Sequence, residues 1–252
     1  MIRDLGAFAP RRAHKLNPPL MTMLLNAVHD RRKGRVFVLQ VGSGTGETGL
    51  PLLERFRTDG WSGLLVEPHP GHFARLEALH AESDRVAVLN LGISDVAASL
   101  PLYALTPEAD ARSRRGARGR ASLIRDRIAP PGTAETDILV TEIPALRLDT
   151  VLGELGVDSA QLVAINAGGH EAQVLQSIEL ATLDPSLVLV HATQGTSSED
   201  ACIATLAAAD LIPFRIADWL VGVAPDRLSV PMEELLTFFQ KGLGAHQQDD
   251  EE

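Results

Sequence analysis

The sequence predicts an α/β protein: a mostly parallel, doubly wound sheet of seven strands with helices on both faces, closed by an antiparallel strand pair. Three observations carry this. Short apolar runs alternate with stretches of helical periodicity from residue 36 to residue 223. The first run ends in a glycine-rich turn, Gly42-Ser43-Gly44-Thr45-Gly46. The last two runs, Leu211–Ile216 and Trp219–Val223, are separated only by Ala217-Asp218, too little chain for a crossover helix, so they must be antiparallel neighbours.

The first helix is expected over Leu20–Arg32, where Leu20, Met23, Leu24, Ala27 and Val28 recur at helical spacing after Pro18-Pro19 and Lys33-Gly34 ends the pattern. It is expected to pack against the sheet near the ligand's edge. Strand Val36–Val41 has five apolar, β-prone residues in six, the composition of a strand buried on both faces. Leu50, Leu52, Leu53 and Phe56 form the buried side of a helix ending near Arg57. Gly60-Trp61-Ser62-Gly63 turns the chain into strand Leu64–Val66, which stops at Glu67-Pro68. Helix Gly71–Ala81 and strand Val86–Leu91 repeat the unit, which predicts right-handed crossovers.

Leu100–Leu105 is a further candidate strand. The pattern then breaks: residues 106–137 lack periodicity and carry Arg112, Arg114, Arg115, Arg118, Arg120, Arg125 and Arg127 against few acids. A long aperiodic stretch of this kind is a binding loop, a lid or a solvated loop. Strand Ile138–Ile143 and helix Leu148–Leu155, capped by Gly156, restore order. Strand Leu162–Asn166 leads into Gly168-Gly169 and helix His170–Leu180; strand Leu187–His191 precedes a helix over Ser197–Ala209. The division expected is an N-terminal helical extension over 1–34, one α/β domain over 35–226 and a C-terminal segment over 227–252, with a helix at Pro231–Gln240 and an acidic tail.

At 252 residues and 45% hydrophobic, the chain can bury one substantial core. Its net charge of −10 opposes nucleic acid and anionic membranes as partners. Aromatic residues make up 4% of the chain and none interleaves with the arginines, which further disfavours RNA. A single cysteine, Cys202, excludes an intrachain disulfide and a metal site built from several thiolates, and no metal site is expected. No apolar run spans a bilayer and none has signal-peptide character, so a cytoplasmic location is expected.

The glycine turn reads as a cradle for a nucleotide-bearing ligand. Gly44-Thr45-Gly46-Glu47-Thr48-Gly49 matches G-x-G-x-x-G, and Glu67 ends the next strand, which together suggest NAD. The dinucleotide fingerprint begins at the strand end, however, and here that glycine is Gly42, from which the third position is Glu47. Counted from Gly42 the loop is G-x-G-x-G, that of class I methyltransferases using S-adenosylmethionine. A P-loop is excluded because no lysine follows the glycines.

A narrower resemblance follows from Leu65-Val66-Glu67-Pro68-His69-Pro70, Leu146-Arg147-Leu148-Asp149-Thr150-Val151-Leu152 and Val163-Ala164-Ile165-Asn166-Ala167-Gly168-Gly169-His170-Glu171. In order and spacing these resemble the FkbM-type methyltransferases, over roughly Val36 to Val223. The resemblance implies a Rossmann-like class I methyltransferase fold and methyl transfer from S-adenosylmethionine to an oxygen of a small-molecule or glycan acceptor. Gly42, Ser43, Gly44 and Gly46 would pass close to the methionine part of the cofactor. Glu67, with Pro68 after it, would bind the ribose diol, and Leu91, Gly92 and Ile93 would border the adenine. Asn166 would sit near the methyl donor and acceptor. The chain departs from the family at Gln40, Asn166 and Gly168, where carboxylates are usual.

At the end of the following strand, His191 is a candidate general base, as a near-neutral imidazole permits. His170 and Glu171 read as helix-opening residues, and Cys202 as core. The arginine-rich stretch would suit an anionic acceptor, and a homo-oligomer is left open. The alternatives are a fold kept for binding after methyl transfer was lost, and an NAD-dependent oxidoreductase.

Overall fold

The computed structural model describes residues 3–4, 17–47, 50–113 and 120–228. Its main sheet is built from β1 (Arg3–Asp4), β2 (Phe37–Val41), β3 (Ser62–Val66), β4 (Val86–Leu89), β9 (Leu162–Ile165), β10 (Leu187–Val190), β11 (Ile212–Ile216) and β12 (Trp219–Val223). A second sheet contains β5 (Gly92–Ile93), β6 (Ala98–Leu105), β7 (Ala121–Ser122) and β8 (Ile138–Leu146). The helices are α1 (Asn17–Arg31), α2 (Leu53–Thr58), α3 (Pro70–His80), α4 (Pro107–Arg112), α5 (Arg125–Ile128), α6 (Leu148–Leu155), α7 (Glu171–Gln176), α8 (Leu180–Leu183) and α9 (Ser197–Ala208).

The main sheet runs β4-β3-β2-β9-β10-β12-β11-β1. β12 is antiparallel to both its neighbours and every other pairing is parallel. The seven expected strands are present in the order of the Rossmann-like class I methyltransferase fold, closed by the two-residue hairpin turn between Ile216 and Trp219. The eighth, β1, joins the outer edge through Arg3 and Asp4; two residues carry no periodicity for a sequence reading to detect.

Alternation along the strands assigns each side chain to one of two cores. Leu39, Val41, Leu64, Val66, Val163, Ile165, Val188 and Val190 pack with α6, α7 and α9. Val38, Leu65, Leu162, Ala164, Leu187 and Leu189 pack with α1, α2 and α3 on the other face. Both faces are therefore covered, as an all-apolar parallel strand demands. Cys202 lies in the first core, completely buried, and burial pushes its thiol up to about 12, with Glu171 and Glu199 adding to the shift.

Four differences from the sequence reading have physical causes. The helix expected over His170–Leu180 stops at Gln176, and α8 starts only at Leu180, because Ser177 is diverted: its Oγ accepts Leu148 N–H at 3.2 Å and its carbonyl accepts Asp149 N–H at 2.9 Å, capping the start of α6. The helix α9 is capped one residue earlier than expected, by Thr196, whose Oγ1 accepts Glu199 N–H at 3.2 Å. The end of helix α1 lies away from the ligand's edge: His29 accepts Trp61 Nε1–H at 3.0 Å, which ties the last turn of α1 to the amino end of β3, opposite the glycine turn.

The fourth concerns residues 106–137. The described part holds α4, β7, α5 and a 3-10 turn at Glu135–Asp137, each too short to leave a periodic signal. β6 and β8 form a long antiparallel ribbon from Ala98↔Ala145 to Leu105↔Ile138, and β7 pairs with β6 at Tyr103 and Ala104. Arg114, Arg115, Arg118, the helix at Pro231–Gln240 and the acidic tail lie outside the described residues. No helix among the described residues is long and apolar enough to cross a membrane.

Burial of Cys202 predicts its chemistry. With the thiol protonated throughout the physiological range, an aromatic disulfide reagent at pH 8 should label the native chain only at the rate of unfolding, and label it rapidly in denaturant.

Candidate functional site

Strand order reverses between β2 and β9: the chain winds outward from β2 through β3 to β4 and, on the other side, from β9 through β10. Where the order reverses, the connecting segments diverge and leave a crevice beyond the carboxyl ends of the strands. A cavity of about 510 Å³ occupies that place. Successive backbone bonds step across its floor: Gly42 N–H to Val66 O at 2.9 Å, Asn166 N–H to Val41 O at 2.9 Å and His191 N–H to Ile165 O at 2.8 Å.

The loop glycines serve different ends. Gly42 has φ +75°, and a Cβ on it would lie 2.0 Å from the Asn166 carbonyl oxygen, so this glycine lets β2 and β9 close up. At Gly44, φ is +59° and a Cβ would meet nothing within 4 Å; this is the backbone left open to the cavity. Gly46 is not in the cavity wall but under α3, where a Cβ would lie 2.6 Å from Leu76 Cδ1. Ser43 is likewise absent from the wall: it is buried, with its Oγ turned back to the Gln40 carbonyl. Gln40 lies on the opposite face of β2 from Leu39 and Val41 and takes no part in the lining.

Glu67 ends β3 with only 4% of its surface exposed. Its Oε2 accepts Gly44 N–H at 2.7 Å and its Oε1 accepts His69 N–H at 2.9 Å, while His72 Nδ1 lies 3.5 Å from Oε1. The carboxylate thus sets the glycine turn while lining the cavity. Asn90 Nδ2 holds the turn from below through the Glu67 and Pro68 carbonyls at 2.8 and 3.1 Å. The imidazole of His69 titrates below its usual range, mainly through burial and then through the nearby His72.

Eight of the eleven residues expected at the site line this cavity: Gly42, Gly44, Glu67, Pro68, Gly92, Ile93, Asn166 and His191; Leu91, like Ser43 and Gly46, does not. Asn166 and His191 are exposed at adjacent strand ends, and His191 sits edge-on to Trp219 at 5.1 Å between centroids. The loop beyond His191 is fixed by a buried ion pair between Glu199 and Arg215, from which Glu199 also accepts Gly195 N–H at 2.6 Å and Arg215 donates to Ala192 O at 3.2 Å.

One group escaped the sequence reading. His170 lines the cavity, and its Nε2 lies 3.0 Å from Oγ of the buried Ser94, which in turn donates to Asp95 Oδ1 at 3.0 Å. Burial holds His170 below the usual imidazole range, opposed by the Asp95 charge, so the ring is neutral at pH 7. This contact carried no local signal, because Ser94 and His170 are 76 residues apart. The far wall, with Arg120, Ser122, Arg127 and Ile128, comes from the arginine-rich stretch that the sequence offers as a binding loop.

No protein-family model matches the chain and no curated protein matches it. Among solved structures it is similar to a methyltransferase FkbM from Methylobacillus flagellatus, with 12% identity, a TM-score of 0.48, and coverage of 75% of this chain and 44% of that one. It is also similar to precorrin-6y C5,15-methyltransferase from Geobacter metallireducens, with 9% identity, a TM-score of 0.38, and coverage of 71% and 64%. The N-terminal domain of human METTL16 in complex with SAH is a third, with 12% identity, a TM-score of 0.39, and coverage of 80% and 70%. The chain thus spans less than half the length of the first of these and under two thirds of the second.

The glycine geometry separates two variants. Gly42→Ala forces a backbone overlap and should abolish folding or cost several kcal/mol, whereas Gly44→Ala pays only the left-handed backbone penalty of about 1–2 kcal/mol. Chemical denaturation of the two should differ accordingly. Glu67→Ala should cost about 1–3 kcal/mol even without ligand, because Gly44 and His69 N–H lose their acceptor.

Proposed function

We propose that this protein is an S-adenosylmethionine-dependent methyltransferase that acts on an oxygen of a small-molecule or glycan acceptor. The observation that carries the reading is the pairing of Gly44 with Glu67: an open backbone turn at the end of β2, held by a buried carboxylate that ends β3, at the edge of one cavity. A carboxylate at that strand end can accept both hydroxyls of a ribose, and a glycine without a neighbour can lie against the methionine part. Gly92 and Ile93, which line the cavity just after β4, would border the adenine.

The residues fit the cofactor in shape and in hydrogen-bonding capacity. When bound, S-adenosylmethionine supplies an electrophilic methyl on a sulfonium. The chain's own part is positioning: β2 and β9 hold donor and acceptor sites in one crevice, the second sheet keeps water from one side, and Asn166 offers a neutral amide that can orient an acceptor hydroxyl. Alignment of this kind is worth a large share of the barrier in a displacement reaction. The acceptor proton passes to a rim imidazole, His191 as the sequence suggests or His170, whose neutral ring is held by Ser94.

The experiment is calorimetric titration of the full chain with S-adenosylmethionine, S-adenosylhomocysteine and NAD in parallel. Binding of the first two and not the third is expected. Absence of both sulfur ligands would overturn the reading, and binding without product in an acceptor screen would leave a fold that binds and no longer transfers. With S-adenosylhomocysteine as ligand, Gly44→Ala should weaken affinity roughly ten-fold or more, by placing a methyl where the ligand backbone lies.

A further inference from the structure

Of the arginines in residues 106–137, four lie among the described residues, and they divide into two pairs. Arg112 is clamped bidentately by Asp137 at 3.0 and 3.1 Å, and Arg125 pairs with Glu135. These face outward and satisfy acids of their own segment. Arg120 and Arg127 instead line the cavity.

Arg127 makes no ion pair among the described residues. Its Nη1 donates to Thr193 Oγ1 at 2.9 Å, which leaves most of the five guanidinium N–H groups for a ligand. The cavity holds two carboxylates, Glu67 and Glu171, and neither pairs with Arg127: Glu67 accepts Gly44 and His69 N–H, and Glu171, only 1% exposed, accepts Gly169 N–H at 2.9 Å. A guanidinium in a cavity wall bonded to a hydroxyl and to no acid is the group a negative ligand would meet.

Its position is fixed by the turn after β9. Ser122 Oγ donates to Gly168 O at 2.9 Å, and a Cβ on Gly169 would lie 2.9 Å from Arg127 Nε and 3.1 Å from Ile124 Cδ1. The arginine stem therefore lies against Gly169, where any side chain would have to displace it.

We propose that the acceptor carries an oxyanion, a carboxylate or a phosphate monoester, and that Arg127 binds it. This rests on the methyltransferase reading for the word acceptor, while the oxyanion site itself stands on the geometry of Arg127. Guanidinium recognises both anions through paired, parallel N–H bonds, so the two are separated by experiment.

The test titrates acetate and inorganic phosphate separately into the isotopically labelled full chain, with and without S-adenosylhomocysteine, at an ionic strength held constant with sodium chloride. Saturable amide shifts around Gly168, Gly169 and Thr193 are expected with at least one anion. Acetate alone would assign a carboxylate and phosphate alone a phosphate monoester. Arg127→Gln should weaken binding roughly ten-fold or more, while Arg125→Gln, two residues away and already paired with Glu135, should leave it unchanged. Failure of both anions to saturate, or equal losses in the two variants, overturns the proposal. Binding of S-adenosylhomocysteine without either anion overturns it and spares the cofactor reading; anion binding without S-adenosylhomocysteine does the reverse, leaving Arg127 as an oxyanion site.

Discussion

The closeness of β2 and β9 is the constraint on which the carboxyl edge of this sheet depends. Two parallel strands run side by side, Val41 against Ile165, and then must part to opposite faces. They part within one residue, because Gly42 has no side chain to hold the Asn166 carbonyl away. From that point the glycine turn leans toward β3, where Glu67 catches it, and the β9 turn leans toward the second sheet, where Ser122 catches it. The cavity is the gap between two turns that diverge from one contact.

This contact explains which parts of the fold were legible in the sequence. Strands buried on both faces announce themselves, since every residue of β9 and β10 must be apolar, and the two-residue separation of Ile216 and Trp219 forces an antiparallel pair. Helix ends were less legible where tertiary demands intervened. Nothing local in Ser177 says that it will cap a helix 29 residues earlier, yet that demand ends the expected helix at Gln176. The elements of the second sheet were partly hidden for another reason: β8 exposes Leu139, Val140, Thr141 and Glu142 in succession, so its pattern reports no single buried face.

The site shows the same division. Residues at strand ends could be found by counting from the strand, as Gly42, Glu67, Asn166 and His191 were, because a parallel sheet places all its carboxyl ends on one rim. Within the glycine motif, though, counting could not say which glycine is left open to the cavity. Gly44 is; Gly42 serves strand packing and Gly46 serves α3. Groups that meet through long-range closure, such as Ser94 with His170, have no spacing to read.

The second sheet leaves the first at Gly92-Ile93 and returns at Ala145-Leu146, and these two dipeptides are hydrogen-bonded neighbours. The entry and exit of some fifty residues are thereby pinned one strand spacing apart, about 4.8 Å. Lengthening or shortening a segment whose ends are already fixed together carries a closure cost that grows only logarithmically with its length. The far wall of the cavity is thus a graft on the parent sheet: it can be resized or exchanged to suit a different occupant while the strand order, the glycine turn and the Glu67 latch stay as they are.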